Sequence, residues 1–172
     1  MRGKIPVLIA VCGAKNSGKT TLLTHVLPIL RDEGIRVAVI KHDVHDFAPD
    51  VKGTDSYRLR MSGALGVAVY SRNRFMIIRE EEEPTVEDLS LYFQDMDLIL
   101  LEGGKHSRYP KLAVARGDLE MPPGDPRAFL ALCADPVPQL PGVRCLNLTD
   151  YRGIADVILN FCEKSPRTKQ NE

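Results

Sequence analysis

The segment Gly13–Thr20 constrains the fold of this chain more than any other part of the sequence. It reads GAKNSGKT and matches the pattern GxxxxGK[ST] at every fixed position. An apolar run, Ile5–Cys12, precedes it, and an amphipathic helical pattern follows it. In this context the two glycines let successive backbone N–H groups converge on phosphate oxygens, and the helix N-terminus adds partial positive charge. The sequence therefore predicts a phosphate-binding loop (P-loop).

Two side chains of this loop have expected roles. Lys19 should reach the β- and γ-phosphates of a nucleotide, and the Thr20 hydroxyl should bind Mg²⁺. The predicted nucleotide-binding residues of the loop are Gly13, Ala14, Lys15, Asn16, Ser17, Gly18, Lys19, Thr20 and Thr21.

Short apolar runs recur along the chain and alternate with helical patterns. Runs rich in Val, Ile and Leu without strict alternation are typical of parallel strands covered on both faces. The predicted strands are Ile5–Cys12, Ile35–Ile40, Leu65–Tyr70, Arg74–Ile78, Leu98–Leu101, Leu112–Ala115, Phe129–Cys133 and Arg144–Leu148. Helical patterns cover Leu22–Leu30, Thr54–Ser62, Thr85–Phe93 and Tyr151–Lys164. The predicted fold is α/β, a P-loop NTPase three-layer sandwich with a mostly parallel sheet and one antiparallel hairpin.

The composition excludes several classes of protein. The 23 Lys and Arg residues balance 23 Asp and Glu residues, so there is no overall basic field for nucleic acid. No apolar run approaches the roughly 20 residues that span a bilayer. The four cysteines are widely spaced and fit a reducing cytosol rather than a disulfide framework. We expect a cytoplasmic protein without nucleic-acid or membrane partners, with one domain over residues 1–164 and a polar tail over 165–172.

Two acidic residues are candidates for the metal side of a nucleotide site. Glu102 follows the strand Leu98–Leu101, and ligands of open α/β sheets collect at the carboxyl ends of strands. Glu102 is therefore expected to face Mg²⁺ or an attacking water, with a surface loop acid as the alternative. Asp43 follows another strand and could contact Mg²⁺ through water or orient that water. The predicted metal site is Thr20, Asp43 and Glu102, and Asp43 and Glu102 are the predicted catalytic residues.

Two further segments allow more than one interpretation. The residues around Asp43 form a switch-like segment, a plain polar loop or, with His42, His45 and Asp46, a transition-metal patch. Asp135 ends a late strand, where it could bind the edge of a guanine base or act only as a turn residue before Pro136.

Four blocks of sequence together distinguish among families of P-loop proteins better than the P-loop pattern does alone. They are Gly13–Thr21, Lys41–Asp46, Gly53–Arg58 with the later Ser62–Ala64, and Asp97–Gly103. In order and spacing these blocks resemble the MobB family of molybdopterin-guanine dinucleotide biosynthesis adaptor proteins. The resemblance extends from about residue 5 to residue 160, which is nearly the whole chain.

The resemblance implies a function as well as a fold. It implies a homodimeric P-loop protein that binds GTP with Mg²⁺ and assists the guanylyltransferase that joins GMP to molybdopterin. It also implies weak GTP hydrolysis at most. The residues alone leave two other classes open. One is a small-molecule kinase that holds an anionic acceptor with Lys105, His106 and Arg58. The other is a metallochaperone GTPase that uses the histidine patch near Asp43.

Overall fold

The computed structural model describes residues 5–42, 47–118 and 121–165. Within these ranges the chain forms a series of strands, β1 (Val7–Cys12), β2 (Val37–Lys41), β3 (Gly66–Tyr70), β4 (Phe75–Arg79), β5 (Leu98–Glu102), β6 (Lys111–Arg116), β7 (Ala131–Asp135) and β8 (Cys145–Asn147). The α-helices are α1 (Lys19–Asp32), α2 (Asp55–Met61), α3 (Val86–Ser90) and α4 (Tyr151–Lys164). Short 3-10 helices cover Leu91–Phe93 and Pro126–Ala128. None of these helices is long and apolar enough to cross a membrane.

The chain divides into two compact units. The larger unit, Met1–His42 with Val86–Glu172, contains a six-stranded parallel sheet in the order β2-β5-β1-β6-β7-β8. The smaller unit, Asp43–Thr85, contains α2 and the antiparallel pair β3–β4. The predicted α/β fold with a mostly parallel sheet and one antiparallel hairpin is therefore confirmed.

Helices α1 and α4 cover one face of the parallel sheet. Their fully buried side chains meet alternate residues of the strands, which places Leu22, Val26, Leu30, Ile154 and Ile158 against Ile9, Val11, Leu98, Leu100, Leu112 and Val114. Burying a side chain of this size contributes about 1.5–3 kcal/mol relative to leaving it exposed. This packing fixes the start of α1 over the carboxyl end of β1.

The opposite face of the parallel sheet is covered in two different ways. Over β2, β5 and β1, Ile40, Ile99 and Leu101 pack against α3 and the 3-10 helix that follows it. Over β6, β7 and β8, strand residues pack against Phe129 and Val143, which belong to loops. Loop residues therefore serve as the third layer over this part of the sheet.

The four cysteines are free thiols. Cys12, Cys133 and Cys162 are buried, whereas Cys145 is partly exposed. Burial raises the pKa of the Cys12 thiol, although Lys111 and Lys19 oppose this effect. Burial also raises the pKa of Cys133, to about 12. Both thiols are neutral at pH 7 and pack as small apolar side chains.

Candidate functional site

The loop between β1 and α1 needs glycine at two positions for different reasons. A β-carbon on Gly13 would lie 2.2 Å from the carbonyl oxygen of Val114, so no larger residue fits against the backbone of β6. Gly18 has a φ of 98° and is the N-cap residue of α1. Asn16 also adopts a left-handed backbone, with a φ of 63°. Left-handed residues within a tight loop make successive N–H groups converge, as they do in anion-binding loops.

The polar groups of this loop are arranged for an anion. The Ser17 side chain is fully buried, and its Oγ has no hydrogen-bond partner among the residues that the structure describes. The Lys19 Nζ donates to the carbonyl oxygens of Gly13 at 3.1 Å and Ala14 at 2.7 Å. The first turn of α1 contains no acidic residue. The N–H groups of that turn therefore keep the partial positive charge that favours phosphate.

Thr20 and Glu102 meet beside this loop although 82 positions separate them in the sequence. The Thr20 hydroxyl donates to Oε1 of Glu102 at 2.5 Å. Glu102 is the last residue of β5, which neighbours β1, and only 8% of it is exposed. A hydroxyl and a carboxylate are hard oxygen ligands of the kind that Mg²⁺ prefers, so these residues fit the ion expected beside a nucleotide phosphate.

Replacing Glu102 by glutamine tests whether its carboxylate binds the metal ion. The amide keeps the size of the side chain and an acceptor for Thr20 but removes the negative charge. We expect Mg²⁺ to raise the affinity of this site for GTP and Glu102→Gln to lose most of that gain, because a neutral amide is a weaker ligand for a divalent cation. Titration of GTP in Mg²⁺ and in EDTA measures this gain. The exposed Glu163 supplies the control Glu163→Gln, and an equal Mg²⁺ effect in both variants would contradict the assignment.

The strand next to β5 ends close to Glu102. Lys41 is its register partner in β2, and the backbone N–H of His42 donates to the Glu102 carbonyl oxygen at 3.0 Å. The predicted roles of Asp43, His45 and Asp46 concern residues 43–46, which lie outside the described residues, and they stay predictions. Among the residues that are described, no three His, Cys, Asp or Glu side chains group closely enough to hold a metal ion.

The remaining sequence candidates lie at different places. Asp135 ends β7 and is exposed, and its role at a guanine base stays a prediction. Lys105 and His106 are exposed in the loop after β5. Arg58 lies on α2 in the smaller unit, where it pairs with Asp55 at 3.6 Å.

Sequence reasoning missed one charged residue near the P-loop. Arg116 ends β6, and its Nη2 would lie 3.5 Å from a β-carbon placed on Gly18. Arg116 directly follows the predicted strand Leu112–Ala115, so the rule that ligands gather at carboxyl ends of strands could have found it.

The parallel sheet, the glycine-shaped loop and the buried hydroxyl define this chain as a P-loop protein of the α/β class. A family model described as Molybdopterin guanine dinucleotide synthesis protein B (MobB) matches residues 8–135. The chain belongs to this family, as the four sequence blocks predicted.

Individual relatives match over nearly the whole chain. This chain is 35% identical over 175 residues to the molybdopterin-guanine dinucleotide biosynthesis adapter protein of Escherichia coli (strain K12), and the match covers 95% of this chain and 98% of the relative. Identity to the adapter protein of Haemophilus influenzae (strain ATCC 51907 / DSM 11121 / KW20 / Rd) is 33% over 164 residues, covering 94% and 92%. A crystal structure of molybdopterin-guanine biosynthesis protein B superimposes with a TM-score of 0.70 at 26% identity and covers 92% of this chain and 100% of that one.

Proposed function

We propose that this chain is a GTP-binding adapter in the biosynthesis of molybdopterin guanine dinucleotide. The observation that carries the proposal is the pairing of an intact P-loop with the Thr20–Glu102 contact in a chain of the MobB family. A nucleotide phosphate and a divalent cation would occupy adjacent places in such a site. Family membership favours this function over the small-molecule kinase and the metallochaperone alternatives.

In the proposed complex the loop would hold the phosphates of GTP. Backbone N–H groups from Ala14 to Thr20 would contact phosphate oxygens, and Lys19 would turn from its own carbonyl partners toward the β- and γ-phosphates. Thr20 and Glu102 would hold Mg²⁺, with Asp43 as a further proposed contact. Bound Mg²⁺ neutralises charge on the phosphates.

We infer slow hydrolysis at this site. Fast hydrolysis needs a group that orients the attacking water and a cation that stabilises the transition state. Glu102, one of the two candidates for the first task, is engaged by Thr20. The nucleotide is therefore proposed to act mainly through the conformation that it stabilises.

The proposed guanine contact is Asp135. Asp135 is the last residue of β7, which is separated from β1 by β6. Glu102 ends β5, which neighbours β1 on its other edge. A carboxylate is an acceptor only, so it can bind the two neighbouring N–H donors of a guanine edge, whereas adenine presents one donor beside one acceptor. This arrangement would make GTP the preferred nucleotide.

An assay of guanylyl transfer tests the adapter role. We expect the chain, added with GTP and Mg²⁺ to a molybdopterin guanylyltransferase and molybdopterin, to raise the yield of molybdopterin guanine dinucleotide. The Lys19→Ala variant should not raise it, because this variant lacks the proposed phosphate contact. The same yield with and without the wild-type chain would contradict the adapter role.

We also propose that the smaller unit carries a homodimer interface. Its strands expose large apolar side chains, with Tyr70 85% and Phe75 70% exposed. Among the described residues of this unit, only Ile78 is buried. A two-stranded hairpin is marginally stable alone, and an apolar surface of this kind is typical of an interface. A second copy of the chain supplies an identical hairpin for a symmetric contact.

Sedimentation analysis tests the dimer. We expect the wild-type chain to sediment with twice the 19.1 kDa mass of one chain. A charge at Phe75 in the Phe75→Glu variant should shift the equilibrium to the monomer, since a buried unpaired charge is costly at an interface. Leu91, 63% exposed in the larger unit, supplies the control Leu91→Glu. A monomeric wild-type chain, or an unchanged dimer in Phe75→Glu, would contradict the proposed interface.

A further inference from the structure

Arg116 lies against the N-terminus of α1. A β-carbon on Gly18 would be 3.5 Å from Nη2 of Arg116 and 3.4 Å from Cδ2 of Leu148. Gly18 is the N-cap of α1 and belongs to the P-loop. The guanidinium group is therefore beside the first turn of the helix, on the flank of the loop that faces β6 and β8.

The register of the sheet explains how Arg116 reaches the loop. Cys12, the last residue of β1, is the register partner of Ala113 in β6. Arg116 is three residues further along β6, so at about 3.3 Å per residue it extends roughly 10 Å past the end of β1. Leu112 and Val114, which alternate with Arg116 along the strand, pack against α1 and α4. Arg116 therefore lies on the face of the sheet that carries α1.

The strand order places Arg116 at a favourable position for a ligand. From β1 the chain continues to β2 and β5 on one side, and β6, β7 and β8 follow on the other. Ligands of open α/β sheets bind outside the carboxyl ends of the strands where the order reverses, which here is between β1 and β6. The P-loop leaves one of these strands, and Arg116 ends the other.

The electrostatics of this position call for an anion. Arg116 is exposed and makes no ion pair with any residue of the described part of the chain. It lies beside Gly18, the residue before Lys19, and therefore close to the positive end of α1, where a cation without an ion-pair partner is unfavourable. The fully buried Ser17 Oγ, which has no partner among the described residues, is in the same loop. A phosphate group would supply the missing negative charge.

We propose that Arg116 binds the α-phosphate of the nucleotide and so strengthens the binding of nucleoside diphosphates and triphosphates equally. This inference rests on the proposed GTP site. Thr20 and Glu102 mark the metal end of that site on the β5 side of β1. Arg116 is on the β6 side, and β5 and β6 are two strand spacings apart, about 9.6 Å. Asp135, the proposed guanine contact, is the register partner of Arg116 on the next strand.

This placement separates Arg116 from the γ-phosphate. A nucleotide that runs from Glu102 to Asp135 would present its α-phosphate, the phosphate nearest the nucleoside, at β6. Arg116 is thus a binding residue for the part of the ligand that GTP and GDP share. Its planar guanidinium can donate two parallel hydrogen bonds to one phosphate.

Titration of GTP, GDP and ATP into the whole chain tests the proposal. We expect Arg116→Ala to weaken GTP and GDP binding by the same factor, about 10- to 100-fold, because one charge-assisted contact is lost from both. The ratio of GTP to ATP affinity should not change. Arg116→Lys should restore part of the affinity, and Arg116→Gln, which keeps a polar hydrogen-bond donor without the charge, should not. Arg144 is exposed at the opposite end of the sheet, so Arg144→Ala is the matched control.

Each other outcome has a defined meaning. Unchanged affinities in Arg116→Ala and Arg116→Gln, or a loss for GTP alone, would overturn the α-phosphate contact. A change only in the ratio of GTP to ATP affinity would also overturn it, since that ratio is expected to change in Asp135→Ala instead. If Lys19→Ala weakens binding and the Arg116 variants do not, this inference fails and the proposed function stands. If the wild-type chain binds no nucleotide, both fail. Thermal melting of each variant shows that it is folded.

Discussion

Replacing Lys19 by alanine is expected to lower the affinity for GTP by about 100-fold, because charge-assisted contacts to two phosphates are lost at once. The fold should be unaffected. Among the described residues, the Lys19 ammonium group donates hydrogen bonds only to the carbonyl oxygens of Gly13 and Ala14, and both oxygens can bind water instead. Isothermal titration with GTP in Mg²⁺ measures the affinity, and thermal melting checks the fold.

Lys15 supplies a matched control from the same loop. Its side chain is exposed, and only its backbone N–H is expected to contact phosphate. Lys15→Ala should therefore change the GTP affinity far less than Lys19→Ala. Equal losses in both variants would indicate a general electrostatic effect and would contradict a specific phosphate contact by Lys19.

Replacing Gly13 by alanine is expected to damage both the fold and the site. The added methyl group would lie 2.2 Å from the Val114 carbonyl oxygen and 2.8 Å from Ser17 Oγ. The backbone of β6 cannot move away without disturbing its pairing with β1. We expect a loss of about 2–3 kcal/mol in the free energy of unfolding, which lowers the melting temperature by roughly 5–10 °C in a chain of this length. GTP affinity should fall as the loop is displaced.

Gly66 supplies the control for this substitution. A β-carbon there would have its nearest contact at 3.7 Å, the Ile78 carbonyl oxygen, and Gly66 is not among the glycines with positive φ. Gly66→Ala should therefore change the melting temperature little. A Gly13→Ala variant that melts at the wild-type temperature and binds GTP normally would contradict the claim that the P-loop lies too close to β6 for a side chain at this position.

The elements that the sequence predicted best have strong end signals. Helix α4 spans Tyr151–Lys164 as predicted, since Asp150 accepts a hydrogen bond from the Gly153 N–H at its start. Helix α2 begins after Thr54, which accepts from the Tyr57 N–H. Strand β7 begins two residues later than predicted, because Pro126–Ala128 forms a 3-10 helix whose end occupies the expected strand start.

The site was predictable where a motif or a strand end identified it. The P-loop pattern carries its own chemistry, and the topology rule for strand ends selected Glu102. The same rule marks Arg116 as the residue after the predicted strand Leu112–Ala115, but its position beside the P-loop follows only from the strand order, which places β6 next to β1. The sequence also did not reveal the exposed apolar surface of the hairpin. Phe75 and Tyr70 are residue types that normally indicate a buried strand, yet both are exposed.

Parallel titrations of the wild-type chain with GTP and ATP, each in Mg²⁺ and in EDTA, test the nucleotide site most directly. We predict saturable binding of GTP with one site per chain, weaker binding in EDTA and weaker binding of ATP. The contribution of Mg²⁺ follows from the Thr20–Glu102 pair, and the preference for GTP from Asp135. Absence of GTP binding in Mg²⁺ would contradict the account.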